Sequence, residues 1–484
     1  MNTYLLSHEL LVLALGLVLL LVDLWASESL RRKFGYAAAL GLAAILCYSL
    51  FAVAPAPDDT AYAFGGMFVL DSLALFFKRF FLLAAIIVLV ISVEFADRFR
   101  AGISEFYVLV LFALTGMLLA ASANDFALLF VSLELITISF YVLASFQRSR
   151  SASLEAGVKY LIIGALSTGF TVFGIALVYG ISGHFNFNQI AAVAAEHRDN
   201  PIFLFGLLLI LGGLGFKIAA FPFQVWAPDV YQGAPTPAVA FLAIGSKAAG
   251  FALLLRFLFT AVPDVAIRWS GLLMLLSAAT ILYGNLCAIP QRNIKRLLGY
   301  SSISHAGYLL LGIAALSKAG QGAVLYYLSG YLFTVLAAFT VICLVLRHLE
   351  TDDISGLAGL NQRSPLLATT MTLSMVSLAG IPPLAGFFGK FLLLKAVIEQ
   401  GAADRHYLWL AIVAIIGVVI SFYYYFGIIR AMYWSEAAPD LSRIPVSYPA
   451  KAAIYVCVAG MFFLGMFPGP LVNLATNAVK VLKL

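Results

Sequence analysis

A few ionisable side chains stand where the rest of the sequence is apolar. Lys217 closes Gly212-Gly-Leu-Gly-Phe-Lys217 and lies five residues before Pro222. Glu134 sits within Phe130-Val-Ser-Leu-Glu-Leu-Ile-Thr-Ile-Ser139, Lys247 within Ala243-Ile-Gly-Ser-Lys-Ala-Ala-Gly250, and His305 within Tyr300-Ser-Ser-Ile-Ser-His-Ala-Gly-Tyr308. A charged group at the centre of a membrane helix costs about 2.5–3.5 kcal/mol, so it persists only where it faces protein or water. Buried acids and amines can be tuned by their surroundings until they exchange protons near neutral pH, and histidine titrates there already. The chemistry such a set can perform is proton movement across a membrane interior.

Lys395 and Lys390 follow a second interruption, Pro382-Pro383. Five residues apart, they point roughly 140° away from each other on a helix, so they cannot share one role. Lys390 either pins the break or reaches for the interface, and Lys395 is the better relay candidate. Lys159 has Glu155 one turn before it. That order favours a helical ion pair, which could be merely interfacial or could belong to the relay. Lys78-Arg79, Arg256 and Glu9 read more simply as structural charges.

Apolar runs of about 20 residues mark the elements that must hold these groups. The sequence predicts fourteen spans, near 4–23, 34–53, 72–94, 104–121, 124–146, 155–180, 202–221, 235–258, 268–288, 293–315, 321–347, 365–398, 406–430 and 450–470. Proline removes a backbone donor and frees a carbonyl, so Pro222 interrupts the seventh span and Pro382 with Pro383 the twelfth. Spans four to eight (104–258) and nine to thirteen (268–430) are then five-helix sets, each broken in its fourth member. Helices 1–3 (residues 1–100) precede them and one helix (450–484) follows. Because five is odd, the two sets have opposite topology, the inverted-repeat plan of many secondary transporters. The expected fold is an all-α integral membrane protein in one membrane domain.

Composition agrees. Of 484 residues, 63% are hydrophobic and only 11% charged, against about 25% charged in soluble domains. The net charge of +6 comes from short loops and not from a basic, aromatic-interleaved patch, which argues against a nucleic-acid partner. Loops of odd number, with Arg31, Arg98, Arg100, Arg148 and Arg292 among them, hold fourteen lysines and arginines; the even loops and tail hold six. The inside-positive rule then puts both termini on the side away from the cytoplasm. The first helix lacks the basic start and small-residue cleavage site of a signal peptide. Cys47, Cys287, Cys343 and Cys457 show no metal or redox spacing. No dinucleotide or P-loop glycine pattern and no paired metal histidines occur, so no cofactor or metal site is expected in this chain.

Three stretches resemble the antiporter-like, proton-pumping subunits of respiratory complex I (proton-translocating NADH:quinone oxidoreductase) and the related multisubunit cation/proton antiporters. They are Lys217 with Pro222-Phe-Gln-Val-Trp-Ala-Pro-Asp-Val-Tyr-Gln-Gly-Ala-Pro-Thr-Pro237, then Tyr300–Tyr308, then Gly380-Ile-Pro-Pro-Leu-Ala-Gly-Phe-Phe-Gly-Lys390. The Pro-Asp-Val-Tyr-Gln-Gly-Ala-Pro wording, the length, and lysine rather than glutamate at 395 are similar to the subunit N branch. The resemblance implies that Glu134 and Lys217 form a switching pair, that Lys247 and His305 continue a hydrated axis, and that Lys395 ends it. Lys159 matches a family lysine. Gln224 stands where the family often has histidine, so a protonatable group there is not essential in this chain. The resemblance also implies a bacterial inner membrane, and neighbouring antiporter-like and small membrane subunits as partners. FMN, iron–sulfur clusters and quinone would be held by other subunits, whose quinone reduction drives the protons. Two rivals stand beside this expectation: a sodium or potassium/proton antiporter subunit, and a scaffold that only holds its neighbours.

Overall fold

The computed structural model describes residues 3–53, 60–99, 102–347, 349, 352–402, 404–434 and 442–483. Arg100, one of the loop cations, lies outside them. Apart from a small antiparallel pair, β1 (Ala61–Ala63) and β2 (Phe68–Leu70), the chain is helical.

The first three spans are α1 (Ser7–Asp23), α2 (Glu28–Phe51) and α3 (Ser72–Glu94). Asp71 caps α3 by accepting from the Ala74 amide at 2.8 Å, satisfying one of the free donors of a helix start. The next set comprises α4 (Ile103–Ala121), α5 (Phe126–Ala144), α6 (Ser151–Ser182), the short surface helix α7 (Phe187–Ala194), and α8 (Pro201–Ile218) continued after a break by α9 (Ala227–Gly233). Its last member is one continuous span, Thr236–Ala261. That span contains α10 (Thr236–Phe241), a π-turn over Leu242–Ser246, α11 (Lys247–Arg256) and a second π-turn over Phe257–Ala261. The short α12 (Pro263–Arg268) leads to the second set: α13 (Ser270–Ala288), α14 (Ile294–Ala314), α15 (Lys318–Leu346), the short α16 (Leu360–Arg363), α17 (Pro365–Ala379) with α18 (Ala385–Gln400), and α19 (His406–Trp434). The chain ends with α20 (Tyr448–Met466) and the short α21 (Gly469–Ala478).

Thirteen helices among the described residues are long and apolar enough to cross a membrane. The fourteenth expected span is the pair α17–α18, too short on either side of its break to qualify alone. The expected interruptions fall in the fourth member of each set.

The bundle has a centre and a rim. Thr236–Ala261 is buried along its whole apolar window, and α14 and α15 nearly so, whereas α1, α2, α6 and α20 bury only about a third of theirs. Small residues permit the central approach: a Cβ on Gly284 of α13 would come within 2.4 Å of the Ser304 amide nitrogen, and one on Gly307 of α14 within 2.7 Å of the Ile281 amide nitrogen. Close backbone contact through small residues is how helices associate where lipid supplies no hydrophobic drive.

The structural charges are paired. Arg256 clamps Asp71 with two bonds of 2.8 and 3.0 Å, and Lys78 meets Glu9 at 2.8 Å, all four buried. These pairs tie α1, α3 and the Thr236–Ala261 span together away from the central lysines.

Candidate functional site: a buried row of ionisable side chains

The row begins on α5. Glu134 is half-buried and accepts a 2.7 Å bond from the Thr168 hydroxyl of α6. One turn on, Thr137 donates to the Leu133 carbonyl at 2.5 Å and accepts from Lys217 Nζ at 2.8 Å. Glu134, Thr137, Ser167, Thr168, Thr171 and Lys217 line one small cavity. Glu134 and Lys217 are therefore neighbours across a shared space and not a direct ion pair. The hydroxyls of Thr137 and Thr168 stand at the two ends of the gap, and either can pass a proton by rotating.

Lys217 is where it is because α8 stops. Ala219 takes the left-handed conformation at φ 58°, a strained choice for a residue with a Cβ, and the helix cannot continue. The freed backbone finds other partners: the Phe221 amide donates to Thr280 Oγ1 at 3.0 Å, and Trp226 Nε1 donates to the Phe216 carbonyl at 3.0 Å. Lys217 is thus free to face the cavity. Gln224, just past the break, is buried, and its Oε1 accepts no bond among the described residues.

Lys217 leads on to α11, its stem lying 3.3 Å from the position a Cβ on Gly250 would take. Lys247 is on the same helix, one turn earlier. It follows directly on the π-turn Leu242–Ser246, a local widening of the helix that is frequent at functional sites. Its ammonium donates to the Ser302 carbonyl at 2.5 Å and also to the Ser302 hydroxyl. Tyr231 of α9 shares that hydroxyl at 2.8 Å.

His305 follows one turn along α14 from Ser301 and Ser302. Its Nδ1 meets the Tyr327 hydroxyl at 2.5 Å and its Nε2 the Tyr425 hydroxyl at 3.0 Å, while Tyr425 meets Ser301 at 2.5 Å. Tyr331 bridges the two sections, with Lys247 over its ring at 6.0 Å and the His305 ring 4.9 Å away. Both imidazole nitrogens are engaged by hydroxyls that can donate or accept, so the ring can change tautomer without losing a bond.

The far end corrects an expectation. Lys390, not Lys395, completes the row: it is buried, stands over the Tyr308 ring at 5.0 Å, and donates to the Leu378 and Ala379 carbonyls at 2.7 and 3.1 Å. Those are carbonyls released where α17 ends at Gly380, in the left-handed region at φ 89°. Lys395 lies on the outer face of α18, its side chain 57% exposed and 3.7 Å from Glu399 one turn on. The difference is helical phase: the face of α18 that meets α14 and α15 carries Lys390 and Leu393, and a position five residues beyond Lys390 faces out.

Lys159 also stands apart from the buried row. It is part-exposed and bridges Glu155 and Asp229, each at 2.7 Å, while Arg296 holds the other Asp229 oxygen at 2.5 Å. The tyrosines 231, 327, 331 and 425, and the threonines 137 and 168, are the members that sequence reading missed. Their signal was weak, since tyrosine and threonine in apolar helices are ordinary. Only the cations they serve make them stand out. Among the described residues no cluster of three or more histidines, cysteines or carboxylates could hold a metal ion.

Residues 123–422 match the family model described as NADH:quinone oxidoreductase/Mrp antiporter, TM. The chain is 42% identical over 477 residues to NADH-quinone oxidoreductase subunit N of Moorella thermoacetica, covering 99% of this chain and 98% of that one. It is 41% identical over 484 residues to the subunit N of Trichlorobacter lovleyi, with the same coverage. Among solved structures it is similar to a chain of respiratory complex I from Thermus thermophilus with bound aureothin. The TM-score there is 0.79 at 33% identity, over 97% of this chain and 99% of that one. With the family model covering more than half of the sequence and full-length relatives above 40% identity, the chain belongs to the NADH:quinone oxidoreductase/Mrp antiporter membrane family and, within it, to the NADH-quinone oxidoreductase subunit N group.

Proposed function

We propose that this chain is a proton-translocating membrane subunit of an NADH:quinone oxidoreductase, respiratory complex I, in a bacterial inner membrane. The observation that carries the reading is the succession Glu134, Lys217, Lys247, His305 and Lys390, four of them buried, with hydroxyls bonded to Glu134, Lys217, Lys247 and His305, set on two broken helices and a π-turn. Membership of the subunit N group supplies the context. Electron transfer and its cofactors, FMN, iron–sulfur clusters and quinone, belong to other subunits. This chain contributes the proton path and contacts to neighbouring membrane subunits and lipid.

Each buried ammonium is held by acceptors it can exchange. Lys217 has one, the Thr137 hydroxyl, and the half-buried Glu134 nearby provides the compensating charge. A buried charge that loses its counter-charge becomes unstable by several kcal/mol. Protonating or displacing Glu134 therefore drives the Lys217 proton onward, towards Lys247 and the Ser302 hydroxyl. His305 then passes protons between its two tyrosines, and Lys390 receives or releases them at the second break. The Lys159–Asp229–Arg296 cluster lies in the half of the protein near the loop cations Arg148, Arg150 and Arg292, which the inside-positive rule assigns to the cytoplasm. We place proton entry at that cluster, and both termini on the periplasmic side.

A cation/proton antiporter is the second reading, since the family model spans both. The row is against it: Glu134 is its single carboxylate, and three lysines would repel an alkali ion. A scaffold predicts that neutral substitutions in the row leave pumping intact. The test is Glu134→Gln in the assembled complex, with NADH-driven proton uptake measured in inside-out vesicles. The proposal expects pumping per NADH oxidised to fall with assembly unchanged; an unaltered ratio would establish the scaffold instead.

A further inference from the structure

α2, α3, α15, α20 and α21 line a part-open cavity of about 670 Å³ that includes none of the row's side chains, within the range of small-molecule sites. Its walls are apolar, with Leu46, Phe76, Phe80, Leu332, Leu464 and Leu474 among them. Two cations line it, Arg79 and Lys480, and no carboxylate does.

The cations are placed differently. Arg79 is fixed: Nε donates to Ser49 Oγ at 3.2 Å, and Nη2 donates to the Ser49 and Val53 carbonyls at 2.6 and 2.7 Å. Those bonds lock the guanidinium plane at the end of α2. Lys480 is exposed and makes no ion pair among the described residues. It sits on the last turn, just after α21, where Lys318 Nζ donates to the Val479 carbonyl at 3.2 Å and the Ser72 hydroxyl reaches the Asn477 and Ala478 carbonyls at 3.5 Å. The C-terminal segment is thereby tied to the starts of α3 and α15. All three ends share one face of the membrane, with Arg79 two turns inward. Lys480 thus stands at the helix ends, while Leu46, Phe76, Phe80 and Leu332 line the cavity along the lengths of α2, α3 and α15.

We propose that this cavity is a binding site for an anionic phospholipid, its acyl chains between α3, α15 and α20 and its phosphate between Arg79 and Lys480. A quinone would fill the apolar part and leave both cations without a counter-charge. So would an apolar helix from a neighbour. A net negative headgroup supplies the counter-charge that the two lining cations lack within the cavity. The bound lipid would hold the C-terminal segment against the rim of the bundle. None of this depends on the proton row.

The test uses the whole purified complex, exchanged into micelles of equal phosphatidylglycerol and phosphatidylcholine and examined by native mass spectrometry. Because Arg79 also braces α2, the variant is Lys480→Glu, which changes an exposed side chain on the final turn. The wild-type complex is expected to retain one more phosphatidylglycerol than the variant, with phosphatidylcholine unchanged. Equal phosphatidylglycerol retention in both overturns the proposal. So does a map of the complex in phosphatidylglycerol nanodiscs that shows a quinone or a protein segment in the cavity.

Discussion

Lys217 and Lys390 look alike in sequence, each beside a proline break, yet their surroundings set them different tasks. Lys217 donates to one hydroxyl and faces a polar cavity. Lys390 neutralises two carbonyls that its own broken helix exposes. Removing Lys390 therefore has a structural cost that removing Lys217 lacks: unpaired buried carbonyls cost about 1–3 kcal/mol each. Lys390→Ala is expected to lower both pumping and the thermal midpoint of the complex, whereas Lys395→Ala, outside the row, changes neither. Parallel pumping and thermal-shift assays check the pair, and a Lys395→Ala variant that alone stops pumping would reverse the assignment. Arg256→Ala should be harsher, because Asp71 would remain buried without its partner. Breaking such a pair costs about 3–5 kcal/mol, and the expected result is loss of the subunit from purified membranes, read by immunoblot. Outside the membrane the expectation is mild. Hydrogen bonding from Arg268 holds the Asp199 carboxyl below its ordinary value. A lowered value stabilises the fold above the unfolded carboxylate range and is lost as pH falls through the folded one. Since both partners are exposed, Arg268→Gln is expected to leave assembly unchanged between neutral pH and pH 5, by native gel.

At the level of elements, the breaks are what sequence makes legible. Pro222 and Pro382-Pro383 announce interrupted helices, and the structure ends α8 at Ile218 and α17 at Ala379, a few residues earlier in each case. The terminating residues, Ala219 and Gly380, are both left-handed, and only the glycine signals that in advance. The π-turn before Lys247 leaves no trace in sequence, because Leu-Ala-Ile-Gly-Ser is compatible with an ordinary helix. Which face of α18 points inward is likewise hidden in sequence, because the break removes the phase reference, and Lys395, the expected relay lysine, lies on the outer face. Close approach of α13 and α14 yields an element-scale prediction. Gly284→Ala puts a methyl against the Ser304 backbone, and overpacking of this sort costs roughly 1–3 kcal/mol. It should lower the yield of assembled complex, while Gly271→Ala, which meets nothing within 4 Å, should not.

Across the whole molecule, burial sorts the helices into an inner group that carries Lys247, His305, Tyr327 and Tyr331 and an outer group with most of its surface free to meet lipid or other subunits. The polar row runs through the inner group from the half-buried Glu134 to Lys390, so its two ends lie on different five-helix sets. Orientation is a separate matter, set by loop charge. The proposed placement of both termini on the periplasmic side predicts that a C-terminal alkaline phosphatase fusion is active in cells and that a fluorescent-protein fusion at the same end is dark.

The central claim is that the row conducts protons, and Lys217→Ala tests it most directly, since Lys217 lines the Glu134 cavity, its stem packs beside α11, the helix of Lys247, and among the described residues its ammonium makes no bond to the backbone. NADH-driven proton translocation should be measured per NADH oxidised in membranes where the variant complex is shown to be assembled. The account predicts a clear loss of pumping with the complex intact. An unchanged proton-to-NADH ratio would contradict it.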